Sequence, residues 1–326
     1  MPVKLYSSDL EISEVKFPKL LKFILHFYND PINEPITKEK LKKARNSEKK
    51  IGKGIFKFLI YGFSPKLSKV EDIKFETYNL RIYRPKSNGS LPVIIFYHGG
   101  GYVLGSIESY DPICRRLAKD LNTLIISVNY RLSPEFPFPV ALNDSYSAIL
   151  WVKDHLFDLD ADVDKIFVMG DSTGGGLATL VALRNKKRND FALKGQILIY
   201  PWVSGNFNYK SFEYFKEGYG LSKKLMNVFR KCYICNSNDF NNPEFSPIDN
   251  KDLSKLPETF IVTASHDVLR DQGILYTKKL IEAGNRVIYK NYLQTIHGFF
   301  TYYKVLPRGK KMYHDIINTL RKMLND

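Results

Sequence analysis

Cysteine is scarce in this chain. The 326 residues hold three, an odd number with no disulfide framework, so a reducing compartment is expected, with the cytoplasm as the default. Two of them form CYIC at 232–235, which has half the spacing of a zinc site, but no second Cys or His pair accompanies it. No resident metal is expected. Long apolar runs are also missing. No stretch reaches the roughly 18 apolar residues of a membrane span, and the opening MPVKLYSSDLEISEVK alternates charge without an apolar core, so neither stable membrane insertion nor a secretion signal is expected. Acidic residues are outnumbered, 34 against 49 basic ones, for a net charge of +15. That excess raises the question of a nucleic-acid partner. The lysines are scattered, however, and the modest clusters KKARNSEKK from Lys42 and NKKRND from Asn185 carry neither interleaved aromatics nor a binding motif. A solvated basic surface with a mild preference for acidic surfaces is expected, and no nucleic acid.

What is present is enough for a core, with 44% hydrophobic and 14% aromatic residues. EDIKFETY from Glu71 and LRIYRP from Leu80 alternate as antiparallel strands joined through Asn79. After them, strand and helix alternate: PVIIFY at 92–97, a helix from Tyr110, TLIISVNY from Thr123, a helix from Val140, KIFVMG from Lys165, a helix from Leu177 and GQILIY from Gly195. TFIVTAS at 259–265, a helix over 271–283, RVIYK from Arg286 and an amphipathic helix near 309–324 complete the series. Apolar strands separated by helices predict an α/β fold with a mainly parallel, eight-stranded sheet covered on both faces.

Two regions break the alternation. Residues 1–65 carry FPKLLKFILHFY and GKGIFKFLIYGF among lysines, and residues 201–250 are aromatic-rich and irregular, with a short helix near 222–235. They are expected to form a cap over a catalytic domain spanning 66–326, the first as its N-terminal part and the second as an insertion. The basic amphipathic GKGIFKFLIYGF also suits a membrane surface, but a cap equally needs an apolar face.

GDSTGGG at 170–176 places one serine among four glycines, between an apolar strand and a helix. Gly170 and Gly174 flank Ser172 at the spacing of the G-x-S-x-G nucleophile elbow, where strand and helix approach too closely for side chains. A Walker loop would need Gly-Lys-Ser/Thr, and Gly176 is followed by Leu177; a dinucleotide fingerprint would need a second glycine that GDSTGG lacks. A serine nucleophile requires a base, an acid that orients the base, and donors for an oxyanion. Of six histidines, His297 in QTIHGFF follows the last strand and precedes a glycine, whereas His26, His155 and His314 fall inside predicted helices. In SHDVLRDQG, Asp267 stands at a strand terminus, while Asp271 caps or starts the next helix. Ser172, Asp267 and His297 then follow in the chain order of the elbow fold, each at the C-terminal edge of the sheet. HGGGYVLGS follows the PVIIFY strand and offers unobstructed peptide N–H groups; His98 is expected to organise this loop.

HGGGY at 98–102, YRLSPEFPFPVALND at 130–144, GDSTGGG, HDVLRDQG at 266–273 and HGF at 297–299 together resemble the hormone-sensitive lipase-like family of α/β-hydrolases, which includes bacterial and archaeal carboxylesterases and arylacetamide deacetylase. The resemblance runs from about Asp72 to the C-terminus. It implies Ser172, Asp267 and His297 as the triad, Gly100, Gly101 and Thr173 as oxyanion donors, and His98, Gly99, Gly170, Asp171 and Gly174 as supporting motif residues. It further implies short- to medium-chain acyl esters as substrates and no cofactor. Two departures stand out. Thr173 and Gly176 replace the family's usual Ala and Asn, and Val268 replaces the Pro of Asp-Pro-Leu. Thr173 keeps its backbone donor while its branched side chain narrows the space beside the nucleophile. Pro134, Pro137 and Pro139 are expected to shape the site wall, and Phe207, Tyr209, Phe212, Tyr214 and Phe215 to line an acyl pocket. The residues leave open ester against amide cleavage, a binding-only scaffold, and a homodimer.

Overall fold

The computed structural model describes residues 36–51, 54–306 and 308–325. FPKLLKFILHFY, His26 and the opening segment lie outside them. Helices α1 (Lys38–Ile51) and α2 (Gly54–Tyr61) precede β1 (Lys69–Lys74), β2 (Asn79–Arg84) and β3 (Leu91–Tyr97). Then follow α3 (Ile107–Leu121), β4 (Leu124–Asn129), α4 (Val140–Asp154), β5 (Ala161–Asp171), α5 (Thr173–Arg188) and β6 (Gly195–Ile199). Short helices α6 (Lys210–Tyr214) and α7 (Lys223–Tyr233) lead to β7 (Glu258–His266), α8 (Arg270–Glu282), β8 (Val287–Ile296) and α9 (Gly309–Asn325).

The eight strands form one sheet in the order β1-β2-β4-β3-β5-β6-β7-β8. Only the β1/β2 and β2/β4 pairings are antiparallel. Successive strand side chains point to opposite faces, and β3 shows the result: Val93 and Ile95 enter one hydrophobic core, Ile94 and Phe96 the other. A strand buried on both faces must be apolar throughout, which is why PVIIFY has no alternation.

Element ends differ from the sequence expectation where a local contact outweighs periodicity. Helix α3 begins three residues earlier than Tyr110 because Ser106 and Ser109 close a reciprocal capping box, with Ser106 Oγ accepting the Ser109 N–H at 3.2 Å. Strand β5 starts at Ala161, before Lys165, because Ala161 pairs with Leu91 across a register shift. Helix α6, only five residues long, has no period to read. His155 ends α4 as its C-cap and stacks on Trp151, so it does not lie within the helix.

Candidate active site

Strand β5 and helix α5 meet at Ser172, whose φ of 56° and ψ of −121° are strained for any residue with a side chain. The turn is held from both sides: Ser172 N–H donates to Ile199 O and Ser172 O accepts from Trp202 N–H, each at 2.9 Å. Helix α5 leaves so close to β3 that a Cβ at Gly174 would collide with the Tyr97 carbonyl. The glycine there is a requirement of approach, since a larger residue would push helix from strand.

The loops after β7 and β8 bring the other two expected residues to Ser172. Asp267 is buried, its Oδ1 accepting from Leu269 N–H at 2.9 Å and its Oδ2 lying 2.7 Å from His297 Nδ1. His297 Nε2 lies 2.9 Å from Ser172 Oγ. A carboxylate only accepts, so Nδ1 carries the imidazole proton and Nε2 is free to accept the serine O–H. The ring also rests against Tyr200, with centroids 4.6 Å apart. Asp271 lies elsewhere, in the first turn of α8, where it accepts the Ser211 N–H at 2.8 Å and ties α6 to that helix.

The HGGG loop lies beside the serine. Gly100 and Gly101 have φ of 121° and 66°, and the Phe229 ring fills the space that a side chain at Gly101 would need. His98 is buried and donates from Nδ1 to Gly99 O at 2.8 Å; burial outweighs that bond, lowers its pKa to about 4 and keeps it neutral. Gly99 N–H donates to Asp171 Oδ1 at 2.9 Å, and the Tyr110 hydroxyl donates to Asp171 Oδ2 at 2.9 Å. Burial nevertheless raises the Asp171 pKa to about 6. Gly101 N–H has its own partner, Thr173 Oγ1 at 3.2 Å.

Ser172, His297, Gly100 and Gly101 line a cavity of about 110 Å³. Leu104, Leu221, Leu225 and Phe229 are among its apolar walls, and Glu48 and Asp171 are among its polar lining. The aromatic group expected to line it does not. Phe207, Phe212 and Phe215 are buried in the main core, Tyr209 donates to Ser204 Oγ at 3.0 Å, and Tyr214 is exposed. Hydrophobic bulk is better buried against core neighbours than left facing a cavity, and composition carries no direction. The lining residues Leu225 and Phe229 sit four apart on α7, so their shared face was the available signal. Glu48 had none, lying within a run of lysines. It reaches the site because α1 packs on the loop: Glu48 Oε2 accepts Gly105 N–H at 2.8 Å, and burial raises its pKa. Glu135 pairs with Arg45 at 2.8 Å and remains outside the cavity. No cluster of three or more His, Cys, Asp or Glu among the described residues could hold a metal, and Cys232 is buried while Cys235 is exposed.

This arrangement has known counterparts. An arylesterase of Saccharolobus solfataricus is 38% identical over 253 residues, 77% of this chain and 81% of that one. A carboxylesterase of Mycobacterium tuberculosis is 34% identical over 251 residues, 76% of this chain and 78% of that one. A solved hyperthermophilic esterase from Pyrobaculum calidifontis superposes with a TM-score of 0.85 at 34% identity, covering 94% of this chain and 98% of that one. A family model described as the alpha/beta hydrolase fold matches residues 94–301. With the elbow, the sheet order and these relatives in agreement, the chain belongs to the α/β-hydrolase family, in its hormone-sensitive lipase-like branch.

Proposed function

We propose that the protein is a serine carboxylesterase that hydrolyses small-molecule acyl esters through an acyl-enzyme. The observation that carries this is the continuous line Ser172 Oγ, His297 Nε2, His297 Nδ1, Asp267 Oδ2, with spacings of 2.9 Å and 2.7 Å, opening on the cavity. In this reading Ser172 Oγ attacks the ester carbonyl while its proton passes to His297 Nε2. Asp267 holds the tautomer and stabilises the imidazolium. The oxyanion is received by the N–H groups of Gly100, Gly101 and Thr173. His297 then gives the proton to the departing alkoxide, which leaves as alcohol. Water repeats the sequence on the acyl-serine, delivering its proton to His297 and releasing the acid and free Ser172.

Cavity size argues for short acyl groups. About 110 Å³ is well below the roughly 300–1,000 Å³ that encloses a drug-sized ligand. Helix α1 and the β6–β7 insertion, which supply Glu48, Leu221, Leu225 and Phe229, act as the cap. No helix among the described residues is long and apolar enough to cross a membrane, and three free cysteines fit a cytoplasmic enzyme. The test is hydrolysis of p-nitrophenyl esters from acetate to palmitate by the wild type and by Ser172→Ala. Short-chain activity that disappears in the variant supports the proposal. Activity that survives in Ser172→Ala overturns it.

A further inference from the structure

We infer that Thr173 is a positioning residue for the oxyanion loop, its hydroxyl tying Gly101, at the end of residues 98–101, to the residue after the nucleophile. The inference rests on the esterase reading above. Gly101 N–H donates to Thr173 Oγ1 at 3.2 Å. At the other end of the loop the Tyr130 hydroxyl donates to His98 O at 2.7 Å. Residues 98–101 are thus held at both ends, by Tyr130 at His98 O and by Thr173 at Gly101 N–H.

A run of three glycines loses much conformational freedom when it is held in one geometry. Thr173 supplies that hold, and its own backbone N–H is another proposed donor to the oxyanion. One residue thus sets the separation between two donors. Thr173 and Tyr130 are both buried, so solvent has little access to replace a missing hydroxyl. The hydroxyl does not keep the amide from substrate. The Gly101 bond is long and neutral, whereas a bond to an oxyanion is charge-assisted and about twice as strong. The amide waits in place and transfers as charge develops.

The test compares Thr173→Val, which keeps the shape without the hydroxyl, with Thr173→Ser, which keeps the hydroxyl. Kinetics on p-nitrophenyl acetate, thermal unfolding and amide hydrogen exchange at Gly101 are measured on each. Thr173→Val is expected to lose about tenfold to a hundredfold in kcat with KM within about twofold, in line with a misplaced oxyanion donor. Gly101 exchange should speed up in Thr173→Val, and Thr173→Ser should restore slow exchange and most of the rate. Turnover by Thr173→Val equal to or above wild type would overturn the inference. So would equal losses in both variants with Gly101 exchange unchanged. If the wild type cleaved no ester, the esterase reading would fall, and Gly101 exchange in the two variants would still decide whether Thr173 holds that amide.

Discussion

Asp171 and Gly99 are joined by a 2.9 Å hydrogen bond from the Gly99 N–H to Asp171 Oδ1, linking the residue before Ser172 to the first glycine of the HGGG loop. The carboxylate thus anchors the loop from one side as Thr173 does from the other. Burial is the larger influence on it, and its pKa stands at about 6 despite the hydrogen bonds from Tyr110 and Gly99. A raised carboxyl pKa means that folding favours the protonated form. The stability this contributes is fully present below the unfolded value of about 3.9 and is lost as pH rises through about 6. Asp171→Asn should remove that dependence. Relative to wild type, the variant should gain up to roughly 3 kcal/mol between about pH 4 and pH 7, measured by denaturant unfolding at each pH. A constant difference across that range would contradict the shift.

Asp267 tests the proposed orientation of His297. Asp267→Asn keeps the volume but presents an N–H or a neutral oxygen to Nδ1, 2.7 Å away in the wild type. The favoured tautomer then changes, and Nε2 no longer accepts from Ser172. The expected loss is about 10⁴-fold in kcat, with thermal stability close to wild type, read from ester kinetics and a melting curve.

Phe229 controls cavity depth in the proposed esterase. Its ring lies over Gly101 and lines the cavity, and its own side chain is buried. Phe229→Ala should cost about 3–5 kcal/mol of stability, as large-to-small core changes do. In what remains folded, the kcat/KM ratio of hexanoate to acetate ester should rise at least severalfold. An unchanged ratio would remove Phe229 as the limit on acyl length.

Arg45 and Glu135 separate an exposed ion pair from a buried tether. Arg45 donates to both Glu135 oxygens and also to Val103 O at 2.9 Å and Ser133 O at 2.8 Å. The Glu135 side chain is 43% exposed, so Glu135→Ala should cost only about 0–1 kcal/mol. Arg45→Ala also strips two carbonyls of their donor and should cost about 1–3 kcal/mol more. It should raise KM as well, because α1 carries Glu48, which lines the cavity. Urea unfolding and ester kinetics on the two variants check the order.

The sheet was legible because buried strands such as PVIIFY and GQILIY cannot be anything else in an alternating series of this length. The serine, aspartate and histidine were legible because each stands at the C-terminal end of a strand, so chain order alone placed them on one edge. Asp267 was separable from Asp271 by the same rule. The cavity wall was not. Phe207 and Phe212 are as aromatic as Phe229, and all three belong to the same core cluster, but of the three only Phe229 also lies over Gly101 and lines the cavity. Glu48 lies far along the chain from every motif and reaches the site only because α1 packs on the HGGG loop.

The sequence by itself determined the family, the order of strands and helices, and the residue types available for chemistry, because periodicity and turn glycines are local properties of the chain. Only the tertiary structure decided which side chains face Ser172, which donors the glycine loop presents, and where Thr173 Oγ1 points. Those depend on angles between packed elements, and packing direction is a property of contacts that neighbours in sequence do not encode.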